Sequence, residues 1–160
     1  MFKRINRKRY KVIFLLVLLA AGNFSLPACT QKPAAATQTI KDITAQEAFS
    51  LIQENNDNLN FVIIDVRTPE EFAAGHIENA LNIDFLSDSF TFKMNNLARD
   101  NKYFLYCRSG NRSRGALNVM KELGFKEIYH LSEGITGWVT QGLTIEECEA
   151  CLNALISETP

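Results

Sequence analysis

Apolar residues recur along this chain in two alternating rhythms. Phe61-Val62-Ile63-Ile64-Asp65-Val66 is a continuous, β-branched apolar run, the pattern of a strand covered on both faces in a parallel sheet. Tyr103-Phe104-Leu105-Tyr106 and Glu127-Ile128-Tyr129-His130-Leu131 are further strand candidates, and Ala80-Leu81-Asn82-Ile83 is a shorter one. Helical spacing fills the gaps between them. Thr44 and Glu47 form a capping-box pattern at the head of Ala45–Ile52. Pro69-Glu70-Glu71 suits a helix start, because proline is tolerated in the first turn and the helix dipole favours acids there; this helix should stop near Gly75. A weaker helix is expected within 86–100. A longer one runs from about Ser113 through Ala116, Leu117, Met120 and Leu123 to a cap at Gly124. Ile135–Val139 reads as a short helix or turn around Trp138, which belongs to the core. Thr144 and Glu147 repeat the capping-box pattern and predict a last amphipathic helix. Strands alternating with helices imply an α/β fold with a parallel sheet of about five strands flanked by helices.

Ahead of this pattern the composition changes. Lys3, Arg4, Arg7, Lys8, Arg9 and Lys11 make a basic leader, followed by an apolar run from Val12 to Ala21. That run is about half of the roughly 20 residues a bilayer-spanning helix needs, so it fits the apolar region of a secretory signal. Leu26-Pro27-Ala28-Cys29 closes the segment and resembles the lipobox of bacterial lipoproteins, where the signal is cut before a cysteine that carries lipid. Leu26, Ala28 and Cys29 match that pattern; Pro27 is an unusual occupant. The reading is a signal peptide over 1–28, Cys29 as the lipidated first residue, a flexible tether over 29–39 and one domain over 40–157. The domain is then exported to the cell envelope or periplasm and lipid-anchored to a membrane.

Removing the leader changes the charge. Six of the 17 basic residues and none of the 18 acidic ones precede Cys29, so 11 positive and 18 negative side chains remain, a net of −7. Phosphate neutralisation by Lys and Arg supplies most nucleic-acid affinity, so an acidic domain excludes nucleic acid as the expected partner. Three of the 11 remaining positives, Arg108, Arg112 and Arg114, are clustered after the strand ending at Tyr106.

That cluster belongs to Cys107-Arg108-Ser109-Gly110-Asn111-Arg112-Ser113. In a parallel α/β fold the ligand lies beyond the carboxyl ends of the strands, and Cys107 follows a strand directly. A thiol reacts as thiolate, favoured by nearby cations and by a helix N-terminus; this loop offers both. Successive N–H groups in a tight loop converge into an anion-binding concavity, Gly110 permits the dihedrals that this requires, and Ser109 and Ser113 add hydroxyl donors. Cysteine-dependent phosphatases place five residues between nucleophile and phosphate-clamping arginine. Here four separate Cys107 from Arg112, and Ser113 takes the arginine's place. The smaller cradle suits one sulfur atom carried on the cysteine.

The loop resembles the active-site loop of single-domain rhodaneses, the thiosulfate sulfurtransferases. Residues 65–83 (DVRTPEEFAAGHIENALNI) are similar to that family's first signature, and Gly134-Ile135-Thr136-Gly137-Trp138 to its closing one. Glu133 departs from the pattern, standing where the family commonly has a glycine pair. The resemblance implies that Cys107 attacks the outer sulfur of a small anionic donor such as thiosulfate and holds it as a persulfide. It then passes the sulfur to cyanide or a thiol acceptor. N–H groups from Arg108 to Ser113, Asn111 among them, would stabilise the persulfide, and Arg108 and Arg112 would draw in the anion. No metal or organic cofactor is implied.

Other residues have duller readings. Arg112 either faces the ligand or pairs with Asp65, and Arg67 is expected to pair with an acid; both Asp65 and Arg67 support the site. His76 is expected to be a structural hydrogen-bonding residue and His130 a strand residue without chemistry. Cys148-Glu149-Ala150-Cys151, placed within the last predicted helix, is expected to form a disulfide in an oxidising compartment. A thiol–disulfide relay through this pair and a non-catalytic binding module are the rival functions.

Overall fold

A computed structural model describes residues 38–148. The signal segment, Cys29, most of the tether and Cys151 lie outside the described residues. In chain order the elements are β1 (Thr39–Ile43), α1 (Ala45–Glu54), β2 (Phe61–Asp65), α2 (Pro69–Ala73) and β3 (Leu81–Asn82). They continue with α3 (Phe90–Asn95), β4 (Lys102–Tyr106), α4 (Asn111–Glu122), β5 (Glu127–Leu131) and α5 (Gly134–Thr140). The five strands form one parallel sheet in the order β1-β5-β4-β2-β3, the expected α/β architecture.

Strand alternation splits the core between the two faces of the sheet. Tyr103, Leu105 and Cys107 point to the face covered by α3 and α4, where they meet Ile64, Met94, Leu117 and Met120. Phe104 and Tyr106 point to the face covered by α1 and α5, with Ala48, Ile63, Ile135 and Trp138. The β4 residues Tyr103–Tyr106 are fully buried, which explains why this strand has no polar alternation. The expected capping box of Thr44 with Glu47 forms on α1, and a further one joins Thr68 with Glu71 on α2. Gly124 ends α4 at φ +81°, the left-handed cap expected there.

Two differences from the sequence reading stand out. Thr39–Ile43 is a strand, whereas the sequence reading places Thr39 in the tether and expects no strand here. Its polar sequence TIKDI is largely solvent-exposed, because β1 is an edge strand paired only with β5. The weaker helix expected within 86–100 forms as the short α3, Phe90–Asn95. Thr144 and Glu147 cap no helix between them: Glu146 is extended and forms an antiparallel bridge to His76 instead. The reciprocal bonds His76 N–H to Glu146 O and Glu146 N–H to His76 O, both 2.8 Å, hold this segment across the end of α2. Long-range backbone pairing overrides the local capping pattern here.

Leaving the sheet, β2 leads outward to β3 and β4 leads outward to β5 on the opposite side. The crevice between two such diverging connections is where ligands bind in parallel sheets. Cys107 sits at its head.

Candidate active site

Cys107 follows β4 and its residue is 1% exposed. The loop then turns through Gly110, at φ +89°, into the first turn of α4. A side chain at 110 is doubly excluded: the dihedral is left-handed, and a Cβ would fall on the carbonyl of Ser132. The turn directs the backbone N–H groups of Ser109, Gly110 and Ser113 at the sulfur, and the Ser113 hydroxyl lies 3.3 Å from it. Burial by itself pushes the thiol up, but the Ser113 hydroxyl and these three N–H groups outweigh it and hold Cys107 below the ordinary thiol range. The N-terminus of the 12-residue α4 adds its positive dipole end.

From the other side α5 fastens the loop. Ile135 N–H donates to Cys107 O at 2.8 Å, and Thr136 N–H and Oγ1 donate to Arg108 O at 3.1 and 2.9 Å. That close approach needs Gly134, at φ +61°, since a Cβ there would meet the Cys107 and Arg108 carbonyls. Glu133 sits at φ −88°, an ordinary conformation for any residue, so its lack of a glycine costs the turn nothing.

The arginines are less available than their number suggests. Arg112 makes a bidentate pair with Glu71 of α2, at 2.6 and 2.8 Å, and not with Asp65. Asp65 is taken by Arg67: both are buried, and Nε and Nη2 of Arg67 bond its carboxylate at 2.6–3.0 Å while Nη2 also reaches Gly75 O at 2.6 Å. The expected acid partner of Arg67 is therefore two residues away. Arg108, Ser109 and Asn111 are exposed. Among the described residues no carboxylate stands within ion-pair range of Arg108. Beside the loop opens a cleft of about 490 Å³ walled by Arg67, Glu71, Arg108, Ile135, Val139 and Ile145 among others.

Residues 44–141 match the family model described as the rhodanese-like domain. The chain belongs to the rhodanese-like domain family. A sulfurtransferase of Allochromatium vinosum is 33% identical over 99 residues, covering 62% of this chain and 91% of that protein. A tRNA uridine(34) hydroxylase of Buchnera aphidicola is 37% identical over 82 residues, but the match spans 49% of this chain and only 25% of the hydroxylase. The crystal structure of a rhodanese-related protein from Thermoplasma volcanium aligns with TM-score 0.55 and 31% identity, covering 66% of this chain and 97% of that one.

Within this rhodanese-like domain the residues singled out from sequence take different places. Cys107, Ser109, Gly110 and Ser113 converge on the sulfur. Arg112, Arg67 and Asp65 form a rim of ion pairs that locks α2 and its flanking loops beside the cysteine loop. Cys148 is disulfide-bonded while Cys107 is free, so the disulfide does not consume the loop thiol. His76 is structural, as expected: Nδ1 lies 3.0 Å from Phe72 O and the ring stacks on Phe72. Trp138 is buried with its Nε1–H donating to Thr144 O at 2.9 Å.

His130 lies on β5 as expected, with polar partners that the strand reading did not include. It is fully buried, 2.9 Å through Nε2 from Ser113 Oγ and 2.7 Å through Nδ1 from Asp42 Oδ1. Neither His130 nor Asp42 was singled out for chemistry. The one sequence signal was a polar residue at the inward phase of β5, two positions from the buried Ile128. Glu71 was likewise expected only as a first-turn acid on α2.

Proposed function

We propose that this rhodanese-like domain is a sulfurtransferase in which Cys107 carries the sulfur, exported and anchored by lipid on Cys29. The observation that carries the reading is the convergence of three N–H groups and one hydroxyl on a buried sulfur at the N-terminus of α4. Those donors favour negative charge on Cys107 and, one atom further out, on a persulfide. They are preorganised before any substrate arrives, which is how fixed dipoles stabilise developing charge most effectively.

In the first half-reaction the Cys107 thiolate attacks the outer sulfur of thiosulfate. An S–S bond forms, the donor's S–S bond breaks, and sulfite leaves with the electron pair. In the second, cyanide or a thiolate attacks the outer sulfur of the persulfide. Thiocyanate or an acceptor persulfide departs and the Cys107 thiolate is restored. Arg108 supports the anionic donor, because it is exposed on the cleft wall without a competing carboxylate among the described residues. Arg112 supports it more weakly, since Glu71 already neutralises its charge. The related Allochromatium vinosum sulfurtransferase supports the reaction class; thiosulfate and cyanide are our choice of test substrates. The basic leader, apolar run and Leu26–Cys29 pattern support export and lipidation.

The test is mass spectrometry of Cys107 after thiosulfate, followed by cyanide. One added sulfur on Cys107, released as thiocyanate, is expected. Unmodified Cys107 with no thiocyanate overturns the reading.

A further inference from the structure

The hydrogen bonds at Cys107 do not end at Ser113. Ser113 Oγ stands 3.3 Å from Cys107 Sγ and 2.9 Å from His130 Nε2, and His130 Nδ1 stands 2.7 Å from Asp42 Oδ1. Three elements meet to make this row. Ser113 lies in the first turn of α4, His130 on β5 and Asp42 on β1, and the parallel register places Asp42 directly beside His130. Ser113 and His130 are fully buried, whereas the Asp42 side chain is 50% exposed. The row therefore leads from a buried thiol to solvent at the edge strand, which contributes no residue to the cleft.

Counting hydrogens gives the row a consistent polarity. An ionised carboxylate only accepts, and the hydrogen bond from His130 is the leading cause holding Asp42 below its ordinary range. Nδ1 therefore carries a hydrogen. In the neutral ring Nε2 is then bare and accepts the single Ser113 hydrogen, which leaves the serine oxygen to accept from the thiol of Cys107. One proton can pass without any atom moving far. The hydrogen on Sγ goes to Oγ as the hydrogen on Oγ goes to Nε2. Thiol and imidazole become thiolate and imidazolium; the serine is unchanged. The two bonds between sulfur and ring then reverse, so Nε2–H donates to Oγ and Oγ–H donates to the thiolate, while Nδ1–H goes on donating to Asp42. Both arrangements satisfy all the buried polar atoms of the row, because the remaining neighbour, Gly110 O, already accepts from Arg114 N–H at 3.0 Å.

We infer that His130 is a positioning residue for the sulfur chemistry: it takes up the proton of Cys107 through Ser113, and Asp42 holds its ring in the required tautomer. This rests on the reading of Cys107 as the working thiol. The charged groups facing the row are few. Arg114, 3.7 Å from Asp42 Oδ2, and Lys121 act on Asp42 from α4. Arg112 acts on Cys107, with Glu71 opposing it, and Asp65 with Arg67 lies beyond them as a closed pair. The row thus supplies the thiolate with an internal counter-cation, in a site where Arg67 and Arg112 are committed to carboxylates and Arg108 is exposed.

The test is the pH dependence of Cys107 alkylation by iodoacetamide in the full chain, followed on the Cys107 peptide by mass spectrometry. It needs no sulfur donor. His130→Gln keeps a donor N–H toward Ser113 but cannot take up a proton. Its alkylation rate at neutral pH should fall on the order of tenfold, the effect of losing one charge-assisted hydrogen bond, with the profile displaced to higher pH. Asp42→Asn should displace it in the same direction by less. Superimposable profiles for His130→Gln and the wild type overturn the inference, and an unshifted Asp42→Asn removes Asp42 from it. Should His130→Gln fail to fold, the ¹⁵N titration of the His130 ring is compared between the wild type and Cys107→Ser. Different curves support the coupling; identical curves overturn it. If thiosulfate leaves wild-type Cys107 unmodified while the alkylation profile still shifts, sulfur transfer falls and the proton row stands. The converse pair of results has the converse meaning.

Discussion

The peptide N–H groups and the arginines around Cys107 occupy the same few residues, yet the fold holds them in opposite ways. The N–H groups of Ser109, Gly110 and Ser113 are aimed at the sulfur, by a loop that backbone bonds from Ile135 and Thr136 clamp in place. Of the arginines, Arg112 is spent on Glu71 and Arg67 on Asp65, and only Arg108 faces the cleft without such a partner among the described residues. Positive side chains beside a cysteine therefore overstate the charge it experiences. Arg67 finds its acid two residues away in Asp65, whereas the acid that neutralises Arg112 arrives from α2, 41 residues earlier in the chain. Backbone dipoles cannot be cancelled in this way, since their direction is set by the loop dihedrals.

This contrast can be broken experimentally. The largest effect is expected from Cys107→Ser, which should abolish sulfur loading and thiocyanate release while leaving the thermal unfolding curve nearly unchanged, because the swap is small. On the backbone side, Gly110→Ala should cost about 1–3 kcal/mol, the range for a forced left-handed residue. It should cost more where the Ser132 carbonyl cannot yield, and sulfur loading should fall with stability. Chemical denaturation with the loading assay reads both; wild-type values for each would show that the loop geometry is dispensable.

On the arginine side the two residues should separate. Arg108→Ala should raise the KM for thiosulfate with little change in stability. Arg112→Gln should cost about 1 kcal/mol, the upper end for an exposed pair, because this one is partly buried, with a smaller change in KM. Equal KM effects would mean that Glu71 does not neutralise Arg112 in solution. Acid provides a finer probe. The hydrogen bond from Arg112 holds Glu71 below the ordinary value of 4.5. A depressed carboxylate adds stability that is fully present above that value and is lost as pH falls through the lower folded one. Arg112→Gln should therefore flatten the acid limb of the stability profile below about pH 4.5. The smallest effect is expected from Glu133→Gly, within about 0.5–1 kcal/mol, the entropic cost of glycine at an ordinary dihedral. A gain in stability instead would mean that position 133 needs the glycine after all.

Much of the fold was legible locally. The runs at 61–66, 103–106 and 127–131 are apolar because parallel strands are buried on both faces, and their lengths match β2, β4 and β5 within a residue or so. The capping box at Thr44, the helix start at Pro69-Glu70-Glu71 and the left-handed Gly124 are short-range features, and they formed. Where a local signal competed with a distant partner, the partner won. Thr144-Ile145-Glu146-Glu147 has the composition of a helix start, but Glu146 gains two backbone bonds to His76 by staying extended. Thr39–Ile43 has too few apolar positions to announce a strand, and becomes one only because the edge of β5 is available to pair it.

Sequence alone determined the α/β class, the position of Cys107 at a strand end, the size of its loop and the family resemblance that this loop carries. These depend on residues within a few positions of one another, where periodicity and dihedral preference act directly. Only the tertiary structure decided which charges remain for a ligand and what lies behind the thiol. Glu71 reaches Arg112, and Asp42 reaches His130 across 88 residues of chain, solely because the order β1-β5-β4-β2-β3 makes neighbours of segments far apart in sequence. Hydrogen bonding is short-ranged and directional, so partners of this kind exist only once the sheet has set their distance and angle.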